Sequence, residues 1–562
     1  MRTRQVNAGL TVNAVAGCHV VVLGLDVAPE LRPTLRGFAV KRTDHARQET
    51  YWMQGSKTFR SLDPHPVQGV RYSSLQFPFQ TFQWSDYAVA PGTDYTYTVV
   101  ALYGSVSALE QRVATEVRVT TEPLAGTHEV AFNRGAAASQ EYARRFQNRK
   151  PRDVGQAAYD WLSRGLFESI VGFIREARDG HFALKGAFYE FQWDGVLAEL
   201  RAALDRTVEV RIVFDDIDNA SGPHGDNEDA IARNRLAGAA IPRTHGTLMH
   251  NKFLVLIEDG APQAVLFGST NLTENGLYGH ANCAHVVRDP ALAATYLAYF
   301  EKLAADPATG AAGTYRRWTA ATTPAPPPDF PNGVAPVFSP RPDLGALDWY
   351  AALAGAATGA LFMTFAFGMA AQFKAVYGRD DDILRFGLME KEWNGANKAA
   401  QIAAVQALQA RPNVVIAIGN RIPLNGFDQW LGEIDRIVPE ANVHWIHLKF
   451  MLVDPLSAHP TVVTGSANFS DASTRRNDEN MLVIKDDLRV ADIYFGEYMR
   501  LYSHYAYREA VKIFLDRHPD AKPEDMTLSY LAEDGDWTAP YFDPDDRSAR
   551  MARRLYFAGA QP

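Results

Sequence analysis

Two short strings in this sequence set a histidine two residues ahead of a lysine. HNKFLVLIE starts at His250 and Lys252, and HLKFMLVD starts at His447 and Lys449. Alternate residues of a strand share a face, so each imidazole projects beside an ammonium group, while Asn251 and Leu448 turn away. A Gly-Ser-x-Asn turn follows each string: Gly268, Ser269 and Asn271 in FGSTNLT, then Gly465, Ser466 and Asn468 in TGSANFS. The spacing from histidine to glycine is the same in both copies, 250 to 268 and 447 to 465. A further asparagine comes after each turn, Asn282 and Asn480, the second preceded by Glu479. Two imidazoles, two ammonium groups and neutral Ser and Asn side chains around one point make a pocket for a tetrahedral anionic centre, a phosphodiester. Such chemistry needs one neutral and one protonated imidazole, so a bell-shaped pH profile is expected. Histidines and carboxylates at metal-ligand spacing are not evident in the sequence, and neither a metal nor a cofactor is expected.

These residues need elements to carry them. From about residue 155 the chain alternates helical and strand patterns: YDWLSRGLFESIVGFIREARDG, FALKGAFYEF, WDGVLAELRAALD with Asp194 as its cap, and VEVRIVFDD, whose Asp215 and Asp216 shape a loop. The order repeats after residue 343 with LFMTFAFG, DILRFGLME, NKAAQIAAVQALQ and NVVIAIG. Eight prolines between 324 and 342 predict a stiff extended linker. Ahead of the α/β region, GFAVKRTD, TYTVVALYG and TEVRVTTEP predict an all-β domain. Tyr95 after the Pro-Gly-Thr turn resembles a tyrosine corner, and the stretch looks like a fibronectin type III domain. The expected domains are therefore a sandwich at 1–123, a first half at 124–320, a linker at 321–342, and a second half with a C-terminal extension at 343–562.

The repeated HxK and GSxN motifs resemble those of the phospholipase D superfamily. The resemblance spans about 155 to 500 and implies an α/β fold: two pseudo-symmetric α-β-α sandwich halves sharing one active site, here preceded by an immunoglobulin-like sandwich. It further implies catalysis by His250, Lys252, His447, Lys449 and Asp454. Phosphate would be held at Ser269, Asn271, Ser466 and Asn468, with support from Glu479, Asn282 and Asn480. By the same analogy His250 is the nucleophile, forming a phosphohistidine, and His447 is the acid and base. The copies differ: Ile257 stands where Asp454 would correspond, with Glu258 one place late, and Ala281 stands where Glu479 would.

Substrate class divides the functional readings. GSTNLT and GSANFS resemble the nuclease form of the motif and favour DNA or RNA. A phospholipase D acting on phospholipid head groups is the alternative, and a phosphate-binding protein with little turnover is the third. The formal net charge of −9 excludes a broadly basic surface but not a local basic cleft. Arg475 and Arg476 suit either such a clamp or a solvated pair. Trp445, Phe469 and Tyr278 suit stacking or core packing. The uncharged stretch from Ala351 to Gln372 reads as a helix end, a turn and a buried strand rather than a membrane span. The N-terminus lacks a secretory pattern, so the cytoplasm is expected, with non-classical export left open. The sandwich could dock a protein partner, and with both motifs in one chain the site needs no dimer.

Overall fold

Runs of β-branched and aromatic residues, closed by Gly, Asp and Asn turns, become two seven-stranded sheets. The computed structural model describes residues 1–559 apart from 67–69, 136–138, 148, 219–221, 311–312, 328–329, 331, 393–395, 420–445, 519–529 and 547. The first sheet comprises β1 (His128–Phe132), β2 (Phe182–Phe188), β3 (Glu209–Asp215), β4 (Ala240–Arg243), β5 (Lys252–Glu258), β6 (Ala261–Gly268) and β7 (Cys283–Val287). The second comprises β8 (Gly333–Ser339), β9 (Ala360–Phe365), β10 (Leu384–Met389), β11 (Val414–Ile418), β12 (Phe450–Val453), β13 (Thr461–Gly465) and β14 (Glu479–Lys485). Their orders are β1-β7-β6-β5-β2-β3-β4 and β8-β14-β13-β12-β9-β10-β11, one pattern used twice. In both, the strand after the HxK motif lies antiparallel to its neighbours, beside a parallel trio.

The helix Leu488–Arg517 lies between the sheets. Tyr494 meets Phe132 of the first sheet edge-on and Phe450 of the second, at ring separations of 5.2 and 5.3 Å. One apolar core runs through both sheets and this helix, so the halves are not separable bodies. A buried Arg243–Asp478 ion pair joins them as well.

Two antiparallel sheets of four strands precede the halves. Their start is pinned to the second half: the Met1 amino group and Arg2 both meet Asp492. The far C-terminus returns to this sandwich rather than extending the second half. Tyr530–Leu531 pairs with Thr58–Phe59, and the helix Arg550–Phe557 lies against Val21–Val27 so closely that a Cβ on Gly24 would overlap the Phe557 carbonyl.

Three sequence expectations are corrected. The proline-rich segment is not wholly linker: Gly333–Ser339 is a strand of the second sheet, paired from Gly333↔Lys485 to Ser339↔Glu479. It is an edge strand, where the missing N–H of Pro336 can face outward without breaking a ladder. The helical pattern at 159–180 is split into Gln156–Ser163 and Leu166–Glu176 at Arg164 and Gly165, both at positive φ. Asp194 does not cap its helix; its carboxylate accepts from Asn234 Nδ2. Residues 351–372 form a helix end and a buried strand as expected, and no helix among the described residues is long and apolar enough to cross a membrane.

Candidate active site

The antiparallel turns at β5–β6 and β12–β13 place each GSxN turn beside the lysine end of its HxK strand. Glycine is required there by close approach: a Cβ on Gly268 or Gly465 would lie 2.2 Å from a carbonyl oxygen of the next strand. Segments entering β5 and β12 then reach across to the opposite half. His250 N–H donates to Asp478 O at 2.9 Å, and His447 N–H donates to Ala281 O at 3.2 Å. These crossings bring the imidazoles to a ring separation of 6.1 Å. That is close enough for both rings to contact one phosphoryl group.

The groups that orient the imidazoles are exchanged between the halves. Nδ1 of His250 lies 2.8 Å from Glu479 Oε2, which also accepts from Ser466 Oγ at 2.7 Å. Nδ1 of His447 lies 2.9 Å from both Ser269 O and Asn282 Oδ1. Asn282 Nδ2 donates to Gly276 O, which fixes the amide so that its oxygen faces His447. All partners of the two Nδ1 atoms are acceptors, so both rings carry the Nδ1 proton and keep the lone pair on Nε2. His250 is therefore not short of a carboxylate: the one absent at Ala281 serves the other ring.

Burial sets the charges. His250 and His447 are each 7% exposed, and Lys252 and Lys449 each 2%. Desolvation pushes His250 down to about 4, against the opposing pull of Glu479. His447 lies well below the usual imidazole range through burial and the two nearby ammonium groups. Desolvation also pushes Lys252 down to about 7 and Lys449 well below the usual lysine range. Each lysine donates back to the carbonyl of its own histidine. An anion arriving here would favour the charged forms of all four groups.

Other expected residues are placed unequally. Asn271 and Asn468 each hold a buried amide oxygen with no hydrogen-bond partner, the same in both halves; that oxygen can only accept, so an anion would have to be met by their Nδ2 groups. Ser269 and Ser466 are already committed: both are fully buried, and their hydroxyls donate to Asn282 and Glu479. They position the orienting groups instead of binding phosphate. Asn480 donates to Tyr296 in the core. Asp454 is corrected most clearly. It ends β12 at the end opposite His447, accepting from the backbone N–H groups of Thr358, Gly359 and Ala360. Its structural counterpart is Asp259, also at positive φ, because the first-half strand runs two residues further past its lysine. Neither Ile257 nor Glu258 matches it.

Two carboxylates had no motif to reveal them. Asp215 accepts from Met249 N–H, and Glu390 accepts from Ile446 N–H, each just before a motif histidine. Each follows or ends the middle strand of a parallel trio, which in retrospect is the only signal. Phe469 and Tyr278 are buried among aromatic side chains. Arg475 pairs with Asp471. Trp445 lies outside the described residues. Asp216, His224 and Glu228 hold ligand atoms within 4.8 Å of one another and could take a cation; His224 and Glu228 are i and i+4 on the helix His224–Arg233.

Residues 173–304 and 405–501 match the family model described as cardiolipin synthase, PLD-like domain. No curated protein matches the sequence. Among solved structures, polyphosphate kinase from Porphyromonas gingivalis is 11% identical over 62% of this chain and 45% of that chain, with a TM-score of 0.37. This chain thus spans under half of that kinase. Phosphatidylserine synthase of Haemophilus influenzae Rd KW20 is 12% identical over 65% and 93% of the two chains, with a TM-score of 0.41. Yeast tyrosyl-DNA phosphodiesterase is 12% identical over 54% and 82%, with a TM-score of 0.30. The two matched stretches, one around each HxK/GSxN copy, are thus similar to the PLD-like domain of that model.

Proposed function

We propose that this chain is a metal-independent phosphodiesterase acting on nucleic-acid backbones by two displacements at phosphorus. The observation that carries the reading is the exchange of partners: a carboxylate behind His250 and a neutral amide behind His447, with the two rings 6.1 Å apart. The Nε2 lone pair of His250 attacks phosphorus as the bond to the leaving oxygen breaks, and His447 gives that oxygen a proton. The phosphorylated ring is cationic, and Glu479 across its Nδ1–H balances that charge. His447 then takes a proton from water. The resulting oxygen attacks phosphorus, and the P–N bonding pair returns to His250. A diester and water become a monoester and an alcohol. Lys252, Lys449, Asn271 and Asn468 suit the non-bridging oxygens. The bound anion offsets both ammonium groups and lets His447 hold its proton.

The nucleic-acid preference rests on the forms GSTNLT and GSANFS. A phospholipid head group is the second reading, supported by the name of the matched domain model. The N-terminal sandwich is read as fibronectin type III-like. Its strand order Leu10–Ala16, Val21–Val27, Gln83–Asp86 in one sheet, and the Tyr95 hydroxyl accepting from Ala90 N–H, support that. Its proposed role is to brace the second half and offer a protein-docking face.

The test is turnover in EDTA of single- and double-stranded DNA, RNA, and phosphatidylcholine or phosphatidylglycerol vesicles. Nucleic-acid cleavage that survives the chelator and disappears in His250→Ala is expected. Head-group release alone would move the chain to the lipid reading, and inertness on every substrate would overturn the enzymatic one.

A further inference from the structure

A cluster of arginines follows the second GSxN turn. A cavity of about 440 Å³ is lined by Arg316, Asp471, Arg475 and Arg476. Three guanidinium groups meet one carboxylate there, in a chain of net charge −9. Asp471 is committed to Arg475. Arg476 has no ion-pair partner among the described residues, and Arg316 Nε is buried with no hydrogen-bond partner at all. Guanidinium groups that outnumber their counter-charges repel one another, and a buried donor left unpaired is costly. Both features mark a place for an anion with several acceptor oxygens.

The position of the cavity narrows the ligand. Arg476 precedes Glu479 by three residues, at most about 11 Å of extended backbone. Arg316 follows Tyr315, whose hydroxyl donates to Asp478, the neighbour of Glu479. The arginines are thus tied through short stretches of chain to the segment that carries Glu479. Along a nucleic-acid strand charges recur about every 3.4 Å of helix axis, so neighbouring phosphates can reach both places. We infer that Arg316, Arg475 and Arg476 form a subsite for a phosphate flanking the scissile one, which selects a polymeric phosphodiester over a substrate with a single phosphate. This inference rests on the nucleic-acid reading above and deepens it.

The experiment compares bis(p-nitrophenyl) phosphate, which has one phosphate, with a single-stranded oligodeoxynucleotide. The variant is Arg316→Gln/Arg475→Gln/Arg476→Gln. Its kcat/KM on the oligonucleotide is expected to fall about 10–100-fold, mostly through KM, with a salt dependence shallower by about two to three charges. Its kinetics on the single diester should be unchanged. Asp471→Asn, which frees Arg475, should lower KM for the oligonucleotide alone, a gain that misfolding cannot imitate. Equal loss on both substrates, or no loss on either, would overturn the subsite while oligonucleotide cleavage by the wild type still upheld the nucleic-acid reading. Wild-type turnover of the single diester with none of the oligonucleotide would overturn that reading. Arginine-dependent preference for cardiolipin over phosphatidylcholine vesicles would then reassign the cavity to the second phosphate of a lipid.

Discussion

The two halves share a strand order but not the group behind each histidine. Glu479 stands behind His250, whereas Asn282 stands behind His447, and each is presented by a buried serine of its own half's turn. A carboxylate stabilises a ring that becomes cationic on phosphorylation, and a neutral amide lets a ring gain and lose its proton. The near-symmetry of the backbone thus carries two unequal tasks, divided by one substitution of Glu for Ala and one of emphasis between Asn282 and Asn480.

The largest expected effect tests that division directly. With a p-nitrophenyl diester, whose leaving group needs no proton, His447→Ala should release a burst of one p-nitrophenolate per protein and retain the remaining monoesterified phosphoryl group on His250. His250→Ala should show no burst and lose roughly 10⁴-fold or more in turnover. The reverse pattern would exchange the roles. Next, Glu479→Gln should cost roughly 10²–10⁴-fold in kcat, with phosphorylation slowed before dephosphorylation, as for a triad carboxylate. Asn282→Asp would put a carboxylate behind both rings; it should cost about tenfold and raise the pH at which His447 gives up its proton, read from the kcat profile.

The pH dependence of kcat/KM sharpens the comparison further. His250 must be neutral to attack, and with its pKa near 4 activity should be lost only as the pH falls through that value. Lys252 must be charged to hold phosphate, and with its pKa near 7 affinity should fall as the pH rises through neutrality. The smallest catalytic effect is expected at Asp454. Asp454→Ala removes a cluster of charge-assisted bonds to backbone amides and should cost about 1–3 kcal/mol of stability, measured by denaturant unfolding. Its kcat should stay within about twofold. A large kcat loss there would return Asp454 to the reaction.

Periodicity and motif spacing made much of this legible. Apolar runs beside the motifs located β5, β6, β12 and β13, and two HxK/GSxN copies named the four central side chains. What the sequence could not express is register between distant segments. Asp478 against Met249, and Ala281 against Ile446, are single bridges between halves, and no local pattern encodes them. Hence Ala281 looked like a missing carboxylate when Glu479 already served His250 from the other half. Asp454 misled for a related reason: a motif counts residues, while a strand two residues longer moves the counterpart to Asp259. The serines misled because a hydroxyl suits phosphate and a buried acceptor equally well, and only the fold shows which one it meets.

The exchange of partners also has a consequence in time. His250 is separated from Glu479 by 229 residues. At about 5–20 residues per second, a ribosome adds that interval in roughly 10–50 s. Until then His250 has no carboxylate to orient it. The set of groups around the first motif histidine is thus complete only once the second half has been delivered.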